Sequence, residues 1–243
     1  LETTPCLGYF WGDKLYEQDI IEVVQDSYIL CFAYQWEHEE EVKWVGLPQF
    51  GTFNRDKKDD KQVVKKLWEL LHEADVATAH NGKSFDFKIA HTRFLLHGMK
   101  PPSPYQMLDT KQIAKKYFRF PSNKLDELSR QLEQERKLPH TGKKLWLDAM
   151  AGDPEAWKVM EEYNKHDVVL LRNRYKDFLP WIQGHPNRNI YSPDGVPKCP
   201  NCGSAQIAPE GHTYNLTTRV QKWRCRKCGR WFRGKSEART DLR

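Results

Sequence analysis

Long apolar runs are missing from these 243 residues: no stretch comes near the roughly 18 consecutive apolar positions that a membrane-spanning helix needs. A secretory-signal pattern is missing too, so the expectation is a soluble protein of the cytoplasm without a membrane partner. Paired cysteines are absent from the first 196 residues, where Cys6 and Cys31 stand alone, and this excludes a disulfide-stapled scaffold there. The same stretch has no excess of positive charge, holding 28 basic against 30 acidic residues. Disorder is excluded by composition, since 39% of residues are hydrophobic and 12% aromatic. Met is missing at position 1, where the chain opens Leu1-Glu2-Thr3-Thr4-Pro5. We therefore expect an N-terminal trimming that cuts through an element.

What is present is concentrated at the other end. Residues 197–243 hold 11 basic and 3 acidic residues, so the overall charge of +6 belongs to the tail. Basic charge confined to one segment implies a polyanion partner, nucleic acid first, against the alternative of a merely solvated tail. Four of the six cysteines lie there as Cys199-Pro200-Asn201-Cys202 and Cys225-Arg226-Lys227-Cys228. Two such knuckles offer four soft thiolates, which suit a closed, tetrahedral, structural Zn²⁺ site; a redox dithiol is the alternative. The 22 residues between the knuckles slightly exceed the usual spacing, which a longer hairpin absorbs. Apolar residues are too few for an independent core, so metal binding is expected to supply most of the tail's folding energy. Around the second knuckle, Lys222, Trp223, Arg224, Arg226, Lys227, Arg230, Trp231 and Arg233 interleave cations with aromatics. Such a surface can neutralise phosphates and stack bases, unless Trp223 and Trp231 pack the ribbon itself.

Ahead of the tail the pattern is mixed. Residues 27–37 and 41–47 read as an antiparallel hairpin. Asp59 and Asp60 read as caps of a helix whose Val63, Val64, Leu67, Leu70 and Leu71 fall at amphipathic spacing. A short strand over 76–80 leads to Asn81-Gly82-Lys83-Ser84-Phe85-Asp86, and a second helix carries Ile89, Phe94 and Leu95. A strand over 105–108 precedes Asp109, read as a cap rather than a ligand. A helix is expected over 123–134, polar irregular chain over 135–151, and a long helix over 155–179, opened by Asp153-Pro154. Strands followed by alternating helix and strand predict a mixed α/β sheet with flanking helices. The expected boundaries are a main domain over 1–183, a Pro-rich linker over 184–197 and a small zinc ribbon over 198–243.

On the long helix, residues four apart share a face, so the Tyr163 hydroxyl and the Asp167 carboxylate stand side by side on a stripe with Met160 and Leu171. A carboxylate on an apolar stripe needs a partner. Asp86 lies where a strand gives way to a helix, at the crevice beyond strand ends, though a helix cap is the commoner use of Asp there. Glu2 sits at what would be a strand end. Three acids from separate elements can converge only with cations among them, and hard oxygen ligands suit Mg²⁺ or Mn²⁺.

Glu2-Thr3-Thr4, Ala79-His80-Asn81-Gly82 with Phe85-Asp86, and Tyr163-x-x-x-Asp167 resemble, in order, the three motifs of the DEDD (DnaQ-like, ribonuclease H-like) 3′–5′ exonuclease superfamily in its tyrosine variant. The likeness is nearest to phage and bacterial members that end in a zinc ribbon. It implies a ribonuclease H-like fold and hydrolysis of DNA or RNA, single-stranded or with a free 3′ end, in a bacterial or phage-infected cell. By the resemblance, Glu2 and Asp167 hold the metal that activates water, Asp86 helps hold the second of two Mg²⁺ or Mn²⁺ ions, and Tyr163 orients the attacking water. Asn81 and Phe85 shape the slot for the terminal nucleotide. His166 is left as a structural or surface residue. The family also places an Asp two positions before the first-motif Glu, immediately ahead of Leu1, and we expect it in the full-length protein. The alternatives are an endonuclease of the same fold or a non-catalytic nucleic-acid-binding protein.

Overall fold

The computed structural model describes residues 1–11, 20–132, 136–138, 141–191 and 196–238. Contacts divide the chain into two compact units, Leu1–Asp109 with Lys124–Arg172, and Thr110–Asn123 with Asn173–Arg243. The architecture is mixed α/β, with six α-helices among the described residues, none long and apolar enough to cross a membrane.

In the first unit, strand β1 (Glu2–Thr3) is followed by a ribbon of β2 (Leu7–Phe10) and β3 (Ile20–Gln25), antiparallel to each other and paired to no other described strand. Next come β4 (Ile29–Tyr34) and β5 (Lys43–Gly46), the expected hairpin, which with β1 makes a sheet in the order β1-β4-β5. Its centre is dictated by the run Ile29-Leu30-Cys31-Phe32, all four buried, which marks a strand covered on both faces. Helix α1 (Lys61–Glu73) buries Val63, Val64 and Leu71 in the same core. A βαβ unit follows: β6 (Val76–Ala79), α2 (Asp86–Leu96) and β7 (Gln106–Asp109), with β6 and β7 parallel. α2 brings Phe87, Ala90 and Phe94 to the core.

Helix α3 (Thr110–Tyr117) belongs to the second unit, and α4 (Leu125–Gln131) returns to the first. Residues 133–134, the end of the helix expected there, lie outside the described residues. The irregular chain expected over 135–151 is corrected for its second half, where α5 (Lys143–Ala151) buries Leu145 and Ala149, one helical turn apart. Gly142 and Gly152, both at positive φ, bracket this helix, and nine residues between glycines give little periodicity to read. Helix α6 (Pro154–Phe178) buries Trp157 and Met160, Trp157 standing edge-on to Trp44 and Phe53. Leu170 is fully buried and Leu171 only partly, so the expected stripe is shifted by one residue.

Asp60 does not act as the expected cap. Its carboxylate has no exposure and accepts hydrogen bonds from the Ile29 amide at 2.9 Å, Arg93 Nε at 2.8 Å and His97 Nε2 at 2.7 Å, tying β4 to α2. Asp59 does the local work, accepting the Lys61 amide at 3.0 Å. Truncating Asp60 to Ala strands the Arg93 guanidinium and a buried amide. We expect a loss of about 3–5 kcal/mol in urea unfolding, the cost of removing one partner from a buried pair.

The second unit holds α3, the end of α6 from Asn173 onward, and a sheet of β8 (Ile207–Tyr214), β9 (Thr218–Cys225) and β10 (Trp231–Ala238) in the order β10-β9-β8. Phe118 packs on Phe178 and Trp181 at 5.2 and 5.3 Å between ring centres. Asn201, inside the first cysteine knuckle, donates to the carbonyls of Leu179 at 2.7 Å and Ile182 at 3.0 Å. His185 Nδ1–H donates to the Pro186 carbonyl, which leaves Nε2 to accept from the Tyr175 hydroxyl at 2.6 Å. Burial holds this imidazole below its ordinary pKa, in keeping with a neutral ring. Of the stretch expected as a linker, residues 188–191 form a 3₁₀ turn whose Arg188 amide donates to the Pro200 carbonyl, and 192–195 lie outside the described residues.

Candidate functional site

Glu2 is fixed by β1, where it stands opposite Cys31 of β4. Its carboxyl is held above the usual value, chiefly by burial, with Asp167 and Asp86 pushing the same way and the Leu1 ammonium and Lys137 opposing them. Glu2 therefore feels both of the other acids, and the three carboxylates share one electrostatic environment. Cys31 is no nucleophile, because burial, assisted by Glu2, pushes its thiol up to about 12.

Asp86 is the first residue of α2, with Phe85 at the cap position and no side-chain cap bond, so the cap reading is not carried. Its carboxylate pairs with the Leu1 ammonium at 3.2 Å. The loop before it is set by sterics. A Cβ at Gly82 would lie 2.4 Å from that of Ala79, and Asn81 adopts φ 73°, a left-handed backbone that Asn tolerates better than most residues. Asp109 pins this loop from beneath. Buried at the end of β7, it accepts the Asn81 amide at 3.0 Å and the Lys83 amide at 3.1 Å. The expected local cap is thus corrected to a long-range anchor, possible because β6 and β7 run parallel and end together. Phe85 keeps 43% of its surface exposed beside Asp86.

On α6, Tyr163 is buried and Asp167 half-buried, and one residue joins them that the sequence did not single out. Lys137 Nζ donates to the Tyr163 hydroxyl at 2.9 Å and to Asp167 Oδ2 at 2.5 Å, and lies 5.0 Å from the centre of the Tyr163 ring. Burial works against this ammonium, but Asp167 outweighs it and raises its pKa. The segment is held by Asp126, which accepts the Lys137 amide and pairs with Arg136, and by His166, which donates to the Arg136 carbonyl. His166 is therefore a structural contact. Burial, then Asp167, raises the Tyr163 phenol, so it works as a neutral hydroxyl.

The other Asp167 oxygen, Oδ1, is buried without a hydrogen-bond partner. An anionic oxygen left unmatched in this way fits a missing cation, and with Glu2 and Asp86 it completes an all-carboxylate donor set of the kind hard divalent ions prefer. Among the described residues, only the four cysteines bring their ligand atoms all within 4.8 Å of one another; the three carboxylates do not.

In the tail, Cys199 Sγ lies 3.7 Å from Cys228 Sγ and Cys202 Sγ 3.6 Å from Cys225 Sγ. A tetrahedron with Zn–S bonds of 2.3 Å has edges of about 3.8 Å, so the thiols fit zinc as they stand. Trp231 is 46% exposed, with Lys222 Nζ and the Arg224 guanidinium 5.9 and 5.6 Å from its ring centre. Trp223 is half-buried, its indole lying so close over Gly234 that a Cβ there would meet Nε1 at 2.9 Å. Of the two indoles, Trp223 packs the sheet and Trp231 is open. Arg226 is exposed and paired to Glu210 at 2.9 Å.

Residues 24–178 match the family model of the RNase_H superfamily. That span includes Asn81, Phe85, Asp86, Tyr163 and Asp167, but neither Glu2 nor the cysteines. A search of curated proteins gave no match.

Proposed function

The chain belongs to the RNase H superfamily, and from that premise we propose that it is a metal-dependent 3′–5′ exonuclease of DNA or RNA. The observation that carries this reading is the buried, unpartnered Asp167 Oδ1 in the electrostatic field shared by Glu2 and Asp86. Two Mg²⁺ or Mn²⁺ ions, when bound, would supply an activated water and charge neutralisation at the leaving oxygen. Glu2, Asp86 and Asp167 would hold them. Tyr163 would orient the attacking water through its neutral hydroxyl, positioned by Lys137. Asn81 and the exposed Phe85 ring would seat the terminal nucleotide, with Asp109 holding their loop in place. The zinc-held tail would retain the strand through Lys222, Arg224, Arg226 and the open face of Trp231, Trp223 supporting the sheet beneath.

The test is cleavage of 5′-labelled single-stranded DNA and RNA with Mn²⁺ or Mg²⁺, using the chain as given and the chain with any native residues upstream of Leu1 restored. A ladder shortening from the 3′ end is expected, and 3′-blocked substrates should resist. Cleavage of blocked substrates would move the reading to an endonuclease. Salt-sensitive binding without cleavage by either form would move it to a binding protein, a reading favoured by the Lys137 ammonium already seated on Asp167.

Lys137→Met separates the two roles of that lysine. Tyr163 loses the donor that positions it, so kcat should fall by about 10²-fold. The Mn²⁺ concentration for half-maximal activity should fall as well, because a resident cation no longer competes for Asp167. A metal titration of both proteins checks the pair of shifts.

A further inference from the structure

The β2–β3 ribbon is the least covered part of the first unit. Its eight large apolar residues (Leu7, Tyr9, Phe10, Trp11, Ile20, Ile21, Val23 and Val24) are all at least 47% exposed, and Trp11 reaches 83%. Ile20 and Ile21 are neighbours in one strand and point to opposite faces, as do Val23 and Val24, so neither face is covered. Both outer edges also lack a strand partner among the described residues. An isolated two-stranded ribbon is marginally stable in water, and a bare apolar edge is a template for pairing.

We propose that this ribbon is the surface on which two copies of the chain associate. Area is the first reason. With a covered aromatic ring burying about 150–250 Å², the exposed parts of these eight side chains offer on the order of 900 Å², above the largest patch usual on a monomer and close to the roughly 800 Å² each partner contributes to a standard interface. Charge is the second. Glu22 is the sole charged residue in the two strands, and no Lys or Arg lies in either, so the ribbon has nothing to bind phosphate. Register is the third. β3 is the longer strand and is rich in β-branched residues. Paired antiparallel with its own copy so that Ile21 faces Val24, it sets Glu22 opposite Val23 and keeps the two glutamates apart, whereas centring on Glu22 would oppose like charges. A two-fold axis through such a pairing gives a closed dimer with a four-stranded sheet.

The experiment is light scattering and sedimentation of the full chain across the micromolar range, beside the double variant Ile21→Lys with Val24→Lys. These side chains are already in solvent in the single chain, so the variant should keep its far-UV circular dichroism. It places lysines opposite each other and should weaken self-association by at least about 100-fold. Amide exchange of 20–25 should slow with concentration in the parent and not in the variant. A parent that stays monomeric, or a dimer that survives the double substitution, overturns the proposal. So does protection of the ribbon that appears only when a single-stranded oligonucleotide is added, which would make nucleic acid the occupant.

Discussion

Asp167→Asn is expected to lower nuclease turnover by at least about 10³-fold while leaving the protein folded. The substitution keeps shape and helix position but removes the negative charge, and a neutral amide is a poor ligand for a hard divalent ion. Oδ1 is the atom at stake, because it is buried and has no hydrogen-bond partner to satisfy in the metal-free chain. Two stability effects oppose each other. The Lys137 ion pair is lost, but both groups are partly exposed, at 31% and 20% of the side chain, so solvent already screens it. In return Glu2 is relieved, since Asp167 is one of the charges that raise its carboxyl. Net stability should stay within about 1 kcal/mol of the parent. Single-turnover cleavage and thermal unfolding, measured on the same preparations, separate the two readouts. Full activity in the variant would sink the metal-ligand assignment, and a collapse of stability would show a structural role instead.

Cys225→Ser should unfold the tail and leave the first unit intact. Among the described tail residues Val220 is the one buried aliphatic side chain; the other buried tail residues are Cys199, Asn201 and Cys225. Nothing there resembles a core, so the three long strands depend on the metal, whose binding is worth about 10–16 kcal/mol in comparable small zinc modules. Serine offers no thiolate, and the three that remain hold zinc far less tightly. Hydrogen exchange is the discriminating measurement. Amides of β9 should exchange freely in the variant, and in the parent after chelation, while those of β4 keep their protection. Zinc should restore the chelated parent but not the variant. A β9 that stays protected without metal would mean that the strands hold themselves.

Much of this architecture is legible in the sequence where one residue's neighbours along the chain decide its fate. The Ile29–Phe32 run, the Asp153-Pro154 helix start, the two cysteine knuckles and the Asn81-Gly82 turn are local signals, and each marks an element or site that the structure contains. The residues that escape are those whose partners are distant. Asp60 and Asp109 look like caps because each precedes a helix, yet their carboxylates reach 31 to 37 and 26 to 28 residues away. Lys137 stands in a polar segment without periodicity, and only the Asp126 and His166 anchors bring it to Asp167. The β2–β3 ribbon escapes for another reason. Apolar on both faces yet covered on neither, it follows neither the alternation of a half-buried strand nor the burial of a central one.

The two bonds that Asn201 makes to the carbonyls of Leu179 and Ile182 bear on how such a protein could be assembled by recombination. They finish a helix belonging to the segment before the cysteines with a side chain from inside the zinc knuckle. A gene fusion that moved residues 198–243 alone would carry the metal ligands but leave that helix end with unmet carbonyls, and Phe118 and Tyr175 would lose their company as well. The exchangeable piece therefore begins inside α6, and a crossover there inherits the tail and its mounting together.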